Sequence, residues 1–503
     1  MKTLRVMALG LAASLGACAV GPSYRTPKSD APPQFAVPVV SKAGAAAPDL
    51  AAWWRALHDP ELDSLVERAV KSNLDLAIAL DRLQQARTYE AVVVGHALPE
   101  VDASGAAARG TGSDLTRGRA QQALVSADNT SDLQHVNTIA GFDAVWELDI
   151  FGKFRREFQA ARADTQAARA ARYDVLTAVI ADVVRAYIDL RGSQVRVGIL
   201  HQAGDLLRGS LRIVTIRYER GITNELDVAL ATRELATLEA EIAPAEAQVN
   251  AAQYTLAVLV GEYPESMLEE LAKPDLIPTM PAPTAPGVPL DLLKRRPDIQ
   301  QAERELAAAT ARIGVAAANL YPQVALVGAI GSQAQGWGSM PALSKHIWSF
   351  GPGAMWPLLD FGALDAQMDI ADLAAHASLM NYRKTILDAV QQVDTSVAAY
   401  EAEQARLEKL DTAMAAGQRA VDLATARYDR GLTDFLNVVD AERQFYDLQE
   451  QYAAAQVAQG EQFVRLYKNL GGGWQNYQAV PAIRRPQPAV IAAFRRALSS
   501  SSP

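Results

Sequence analysis

The stretch RYERGITNELDV, Arg217 to Val228, returns almost unchanged as RYDRGLTDFLNV, Arg427 to Val438. Arg, Tyr, a second Arg, Gly, Thr, Leu and Val recur in register, so the chain carries an internal duplication whose extent can be measured. Gly221 and Gly431 lie 210 positions apart, and the same offset carries Trp146 to Trp356, Phe151-Gly152 to Phe361-Gly362, and Gly261 to Gly471. Further upstream the offset becomes 223, carrying Asp75 to Asp298, Ala86 to Ala309, and Pro99-Glu100-Val101 to Pro322-Gln323-Val324. The first copy therefore holds 13 extra residues between Val101 and Trp146, and loops are where insertions are tolerated. Two structural repeats are expected, 51–261 and 282–473.

Each copy carries helical periodicity on both sides of the repeated phrase. Leu176, Ile180, Val183, Tyr187 and Leu190 step by fours and threes, and the 210 offset turns them into Ile386, Val390, Val393, Val397 and Tyr400. That is a coiled-coil seam present twice. A second seam follows as Leu235, Leu238, Ile242, Ala245, Val249, Ala252, Leu256 and Leu259, with Pro244 inside it, where an interior proline predicts a kink. Helix from about Phe154 to Tyr218 would run roughly 100 Å at 1.5 Å per residue. The repeated phrase itself ends one helix and starts the next. Gly221 and Gly431 supply left-handed caps, and Asn224 or Thr223, and Thr433 or Asp434, supply N-caps. The phrases are the tips of two antiparallel helical hairpins, about 217–228 and 427–440. Arg217, Gly221, Thr223, Asn224, Arg427, Gly431, Thr433 and Asp434 form their candidate docking surface.

Between the helices the period changes. Val136, Thr138, Ala140, Phe142, Ala144, Trp146 and Leu148 alternate with Asn137, Ile139, Gly141, Asp143, Val145 and Glu147, giving a strand with one face mostly apolar and the other mixed. Its partner runs from Val101 to about Arg109, and the second copy offers Val324–Ser332 and Ile347 to about Met355, the last weakened by Pro352 and its flanking glycines. The strand hairpins thus occupy about 101–148 and 324–355. Four strands cannot close a barrel, and an open sheet edge cannot face lipid. If these strands cross a membrane, several chains must share one barrel, and three chains would supply twelve strands. The expected fold is mainly α with a small β part: a duplicated repeat of long coiled-coil hairpins plus four strands per chain, closing a 12-stranded barrel in a trimer.

Composition narrows the function. Apolar residues make up 50% of the 503 but aromatic residues only 7%, which suits close-packed, Ala-rich helices. A formal charge of −9 disfavours a sequence-independent nucleic-acid binder, which needs a basic face for phosphates. Six histidines show no metal-ligand spacing, and no phosphate loop or nucleophile elbow occurs. No catalytic residue, metal or cofactor is expected, and the chain is read as a non-enzyme. The single cysteine closes a positively charged start (Lys2, Arg5) and an apolar run from Val6 to Leu15, too short to span a bilayer of about 30 Å. Residues 1–17 read as a signal peptide, 18–50 as an extended tether, and 481–503 as a disordered tail. Leu15-Gly16-Ala17-Cys18 resembles the lipobox of bacterial lipoproteins. That resemblance implies acyl chains on Cys18 and, with Ala19 following, sorting to the outer membrane; an ordinary signal peptide with a chance cysteine is the alternative.

The whole pattern resembles the TolC-type outer-membrane efflux channels, in their NodT-like lipoprotein branch. The resemblance is carried by Cys18-Ala19-Val20-Gly21-Pro22-x-Tyr24, Trp53-Trp54, Asp59-Pro60-x-Leu62, Asn73-Leu74-Asp75-Leu76, Arg295-Arg296-Pro297-Asp298-Ile299, Tyr321-Pro322 and the two tips, in that order. It implies a homotrimer with a β-barrel in the outer membrane continued by a periplasmic helical barrel. It also implies partners: outer-membrane lipids, a periplasmic adaptor (membrane fusion protein) and an inner-membrane pump of RND type. Leu436, Asn437 and Asp440 fall where the family has its periplasmic gate, although only Asp440 is acidic here. Three symmetry-related carboxylates at one axis would repel and favour cations. Alternatively Asp440 pairs with Arg443 or Arg233 on a solvated face. Function is expected to be passive export of small molecules in a tripartite efflux system. The alternatives are a lipid-anchored periplasmic coiled-coil scaffold without a pore and a type I protein secretion outlet; a scaffold has no reason to carry four strand-like segments.

Overall fold

The computed structural model describes residues 19–28, 32, 34–36, 49–108, 137–281, 289–335 and 345–479. Residues 1–17, expected to be a signal peptide, Cys18 and residues 481–503 lie outside these residues. The chain divides into two compact units, one of residues 1–36, 85–173 and 287–394, the other of 37–84, 174–286 and 395–503. Each unit draws on both sequence copies.

The element order is α1 (Pro60–Ser72), α2 (Leu74–His96), β1 (Glu100–Ala108), β2 (Asn137–Leu148), α3 (Lys153–Glu219), α4 (Glu225–Leu259), α5 (Pro289–Arg295), α6 (Pro297–Ala318), β3 (Gln323–Gln335), β4 (Lys345–Met355), α7 (Ala363–Asp429) and α8 (Phe435–Asn469). The helices α3 and α7 are each 67 residues long, and α4 and α8 each 35. The second seam is at least half-buried at every position, with Ala245 and Leu256 fully so. Helix α4 runs continuously from Glu225 to Leu259 with Pro244 inside it.

In the first unit the four strands form one antiparallel sheet in the order β1-β2-β3-β4. Glu100 pairs with Val145 in the first hairpin and Gln323 with Met355 in the second. Those pairs are related by the two sequence offsets, 223 and 210. The extra residues of the first copy therefore fall within 109–136, outside the described residues. The copies are joined by β2 and β3, which pair from Asn137↔Gln335 to Leu148↔Val324. Strand β4 forms despite Pro352, opposite Leu326 on an edge strand, where a missing N–H is tolerated. The register sorts the side chains. Ala103, Phe142, Ile330 and Trp348 form one row across all four strands, and each is exposed. Val101, Ala144, Gly328 and Phe350 make the next row on that face. The opposite face carries Asp102, Asp143, Ala329 and Ser349 in register, with Ser104 Oγ donating to Asp143 Oδ1 at 3.3 Å.

The same unit packs the start of α3 against α6, whose Ala-rich face buries Ala307 and Ala308 on Ala163. The described part of the N-terminal segment lies over this pair. Val20 N–H donates to Phe151 O, and Arg156 donates to the carbonyls of Val20 and Gly21 at 3.0 and 2.8 Å. Gly21 sits at φ +84°, and a Cβ there would stand 2.5 Å from the Gly314 backbone. The segment passes so closely because Gly21 has no side chain, and a Cβ on Gly314 would stand 2.8 Å from the Arg156 side chain that holds the segment.

In the second unit Leu176, Ile180, Val183, Tyr187 and Leu190 are all at most 1% exposed. Trp53 and Trp54, in a 3₁₀ turn at Leu50–Leu57, are buried as well; the Trp53 ring stacks 5.6 Å from Tyr467 and meets Phe463 edge-on. Asp59 caps α1 by accepting from Glu61 and Leu62 N–H, and accepts the Tyr187 hydroxyl proton at 2.5 Å. Beside it the buried Arg191 donates to Glu61, to Gln194 Oε1 at 2.8 Å and to Lys273 O at 2.9 Å. A buried guanidinium is stable only if such acceptors surround it, and removing one partner of a buried pair costs about 3–5 kcal/mol. Because Glu61 keeps some water contact, the low end applies: Arg191→Ala is expected to destabilise this unit by about 3 kcal/mol, read as a lowered thermal midpoint by circular dichroism in detergent.

Candidate functional site: the hairpin tips

The repeated phrase closes two helix ends in the same way. Helix α3 stops where Ile222 N–H donates to Arg217 O and Gly221 N–H to Tyr218 O, both near 2.9 Å, with Gly221 at φ +70°. Helix α7 stops with Leu432 N–H on Arg427 O and Gly431 N–H on Tyr428 O, with Gly431 at φ +69°. These paired bonds satisfy carbonyls that a helix end leaves open, and they need the left-handed backbone that glycine adopts freely. Asn224 is the N-cap of α4, its side chain accepting from Asp227 N–H at 3.2 Å. Asp434 takes the corresponding place before α8 without a side-chain cap bond. Thr223 and Thr433 have a different task. The Thr223 hydroxyl donates to Asp227, while Thr433 Oγ1 accepts from Asn437 Nδ2 at 2.8 Å.

The two tips meet. The Arg217 guanidinium lies 4.5 Å over the Tyr428 ring and 3.6 Å from Asp429 Oδ1, so the first tip is bound to the second by a cation–π contact and an ion pair. Tyr428 leans on Phe435 at 5.2 Å, and below them Val214, Ala231, Val438 and Val439 form a small buried cluster. Arg427, the counterpart of Arg217, is exposed.

Leu436, Asn437 and Asp440 all lie on the exposed face of α8, opposite Phe435, Val438 and Val439. Asp440 Oδ2 accepts from Gln444 Nε2 at 2.7 Å, and Arg443 stands 3.8 Å from Oδ1 one turn on. Of the two cations considered for it in the sequence, Arg443 is the neighbour; Arg233 instead faces Glu234 at 3.5 Å. Both Asp440 and Arg443 side chains are more than half exposed, so the pair is weak and can be broken cheaply.

Glu442, two residues on, was not singled out in the sequence. It is buried on the apolar side of α8, where one oxygen accepts from Ser210 Oγ at 3.2 Å and the other has no partner. Burial pushes its carboxyl above the ordinary range, opposed by the Ser210 hydroxyl. The signal was present: Glu442 continues the 435, 438, 439, 446 stripe, where a carboxylate is out of place. Among the described residues no group of His, Cys, Asp or Glu is set to hold a metal, and no helix is long and apolar enough to cross a membrane.

With the fold and tips in view, comparisons with known proteins agree on one family. The family described as Outer membrane efflux protein matches residues 65–262 and 288–472. Nodulation protein T of Rhizobium leguminosarum bv. viciae is 31% identical over 510 residues, the full length of both chains. The pyoverdine export outer membrane protein OpmQ of Pseudomonas aeruginosa is 30% identical over 95% of this chain and 98% of its own. Among solved structures, the outer-membrane channel OprN aligns with a TM-score of 0.80 at 33% identity, covering 91% of this chain and all of its own.

The buried carboxylate has a calculable consequence. Its folded-state affinity for a proton is raised above the ordinary glutamate value of 4.5, so its contribution to stability is complete below that value. The contribution is lost as pH climbs from there through the folded pKa. Glu442→Gln keeps the Ser210 bond and removes the charge. It is expected to match the wild type at pH 4 and to be more stable by about 1–2 kcal/mol at pH 7.5, measured as the difference between their thermal midpoints at the two pH values.

Proposed function

Taking as premise that the chain belongs to the outer membrane efflux protein family and serves as an outer-membrane efflux channel, we propose that it is the passive exit duct of a tripartite pump. In this reading three copies close one 12-stranded barrel. The observation that carries it is the sheet, whose rows alternate an exposed apolar face with a polar one bearing Asp102, Ser104, Asp143 and Ser349. Lipid outside and water inside require that alternation, and strands of 9 to 13 residues are long enough to cross the hydrocarbon layer. A poreless scaffold gives no reason for it. The free edges of β1 and β4 supply the need for further copies, since lipid offers their backbone groups no partner.

The remaining roles follow from the same reading. Cys18 carries the lipid that fixes the N-terminus in the outer membrane, and the segment from Ala19 onward, held on Arg156, leads from it. The tips, with Arg217, Gly221, Thr223, Asn224, Arg427, Gly431, Thr433 and Asp434, dock a periplasmic adaptor that links the duct to an inner-membrane pump of RND type. Leu436, Asn437 and Asp440 line the entrance. Three copies of Asp440 around one axis repel each other, and the weak hold of Arg443 leaves that charge available to passing cations. Selection and energy belong to the pump, and no catalytic step is assigned to this chain.

Planar-bilayer conductance of the purified protein tests the channel and its entrance together. Wild type is expected to give discrete steps, and Asp440→Ala steps that are larger or open more often. Unchanged steps would remove Asp440 from the entrance, and silence from correctly inserted protein would remove the pore. A separate labelling experiment addresses the anchor: radioactive palmitate is expected on the wild type and absent from Cys18→Ser.

A further inference from the structure

In the first unit the described N-terminal segment borders a cleft between α3 and α6. The cavity, roughly 310 Å³, is lined from three sides: by Ser23 of the segment, by Arg156, Gln159, Arg162 and Gln166 of α3, and by Arg304 of α6. Three of these are cations, and no lining residue is an acid. Their mutual bonds leave donors over. Gln159 Oε1 accepts from Arg156 Nη1–H at 3.0 Å, and Gln166 Oε1 accepts from Arg304 Nη1–H at 3.1 Å. Each amide thus turns its acceptor to an arginine and has its NH2 left to donate. Arg162 and the Ser23 hydroxyl make no hydrogen bond or ion pair among the described residues. Glu303, the acid paired with Arg304, does not line the cleft and is also engaged by Tyr24 and by Thr26 Oγ1, the latter at 3.3 Å. The cleft is therefore rich in donors and poor in acceptors.

We propose that this cleft binds a phosphate group, carried by the headgroup of an anionic phospholipid in the periplasmic leaflet of the outer membrane. The donor set selects the chemistry. One bidentate arginine satisfies a carboxylate, whereas a phosphate presents oxygens in several directions and suits donors that converge from a segment and two helices. A metal cation would find no carboxylate there. The place selects the source. Ala19, the residue after Cys18, is packed on Gly152, where a Cβ would stand 2.7 Å from it. Arg156 and Gln159 lie about 5 and 9 Å along the axis from the start of α3, and the polar layer on each side of a bilayer is about 5–8 Å deep. A headgroup beside a lipid on Cys18 thus reaches the upper end of the cleft. Bound there, its phosphate joins the N-terminal segment to both helices through charge-assisted bonds. The lipid source rests on the anchored-barrel reading above; the phosphate chemistry stands on the cleft alone, and a free phosphate ion is the other source.

Isothermal titration of the purified full chain in a neutral detergent tests the site with three probes: dihexanoylphosphatidylglycerol, inorganic phosphate, and dihexanoylglycerol, which lacks the phosphate. The phosphatidylglycerol is expected to bind at one site per chain and about tenfold or more tighter than dihexanoylglycerol, the effect of one charge-assisted hydrogen bond. Arg162→Glu and Gln159→Glu, both at exposed positions, are each expected to weaken it by about tenfold or more, with circular dichroism showing the fold unchanged. Arg383→Glu makes the same change in net charge as Arg162→Glu, at an exposed position of α7 outside the cleft, and is expected to leave binding as it is. Inorganic phosphate that binds as tightly as the lipid, with the same loss in both cleft variants, would keep the phosphate site and replace the lipid by a free ion. Absence of binding, binding that survives both cleft variants, or equal binding of dihexanoylglycerol overturns the site. The anchor is read separately by the palmitate labelling: an unlabelled wild type whose binding is still lost in Arg162→Glu would discard the anchor and keep the site.

Discussion

The backbone pairing of β2 with β3 is the join on which the rest depends. It ties residues almost 200 positions apart, from Asn137↔Gln335 to Leu148↔Val324, and brings the two copies into one sheet. Its register determines everything above it in scale. With Phe142 opposite Ile330, the large exposed side chains Phe142, Ile330, Trp348 and Phe350 fall on one face and Asp102 and Asp143 on the other. A slip by one residue would mix the faces and destroy the only arrangement that suits lipid on one side and water on the other. The seam also leaves little room for error, because a Cβ on Gly141 would stand 2.7 Å from Ile330 O and one on Gly331 would stand 2.9 Å from Ala140 O. The two glycines face each other across the join, each permitting the other's approach.

Much of this was legible in the residues because duplication doubles every signal. A strand pattern as weak as Val101–Arg109 gains force when Val324–Ser332 repeats it, and β1 and β3 indeed begin within a residue of those positions. Gly221 and Gly431 could be read as left-handed caps because each stands where a periodic run stops and another starts. Pro352 made β4 doubtful, yet an edge strand accommodates it, and being at an edge is a property of the sheet that one strand's sequence does not encode. Missing altogether were the contacts that join distant segments. Nothing near Arg191 announces Glu61, and nothing near Arg217 announces Tyr428, because each pair forms only when seams more than a hundred residues apart come together. Glu442 is legible only in part: its stripe marks the position as packed, but not that one carboxylate oxygen is buried without a partner.

The tips show how a duplicated element acquires unequal parts. Sequence and caps agree so closely that the two phrases would be expected to sit in equal surroundings. They do not. Arg217 is drawn over Tyr428 and held by Asp429, whereas Arg427 stands in solvent. The second position to diverge is the one four residues after the threonine. As Asp227 it accepts the Thr223 hydroxyl; as Asn437 it donates to Thr433, reversing the direction of the bond. The first tip thereby keeps an acid engaged by its own threonine. The second replaces that acid with an amide and carries its carboxylate at Asp440, where the first copy has the apolar Leu230.

That exchange moves negative charge one turn deeper along the helix, away from the N-terminal dipole that would favour it and onto a face its own chain leaves uncovered. A carboxylate near a helix N-terminus is stabilised by the open N–H groups, but one beyond the first turn has only its neighbours, here Gln444 and a distant Arg443. The arrangement therefore costs the second hairpin some electrostatic stability that the first retains. Below it Glu442 adds a second cost, an oxygen buried without a partner. Both lie within the first two turns or so of α8, while the same turns of α4 carry the uncharged Leu230 and Thr232 in their places. The less stable member of a packed pair is the one whose packing can be exchanged for another at small cost. On this ground the second hairpin is the electrostatically less favoured of the two, and Arg217 of the first holds it through Tyr428 and Asp429.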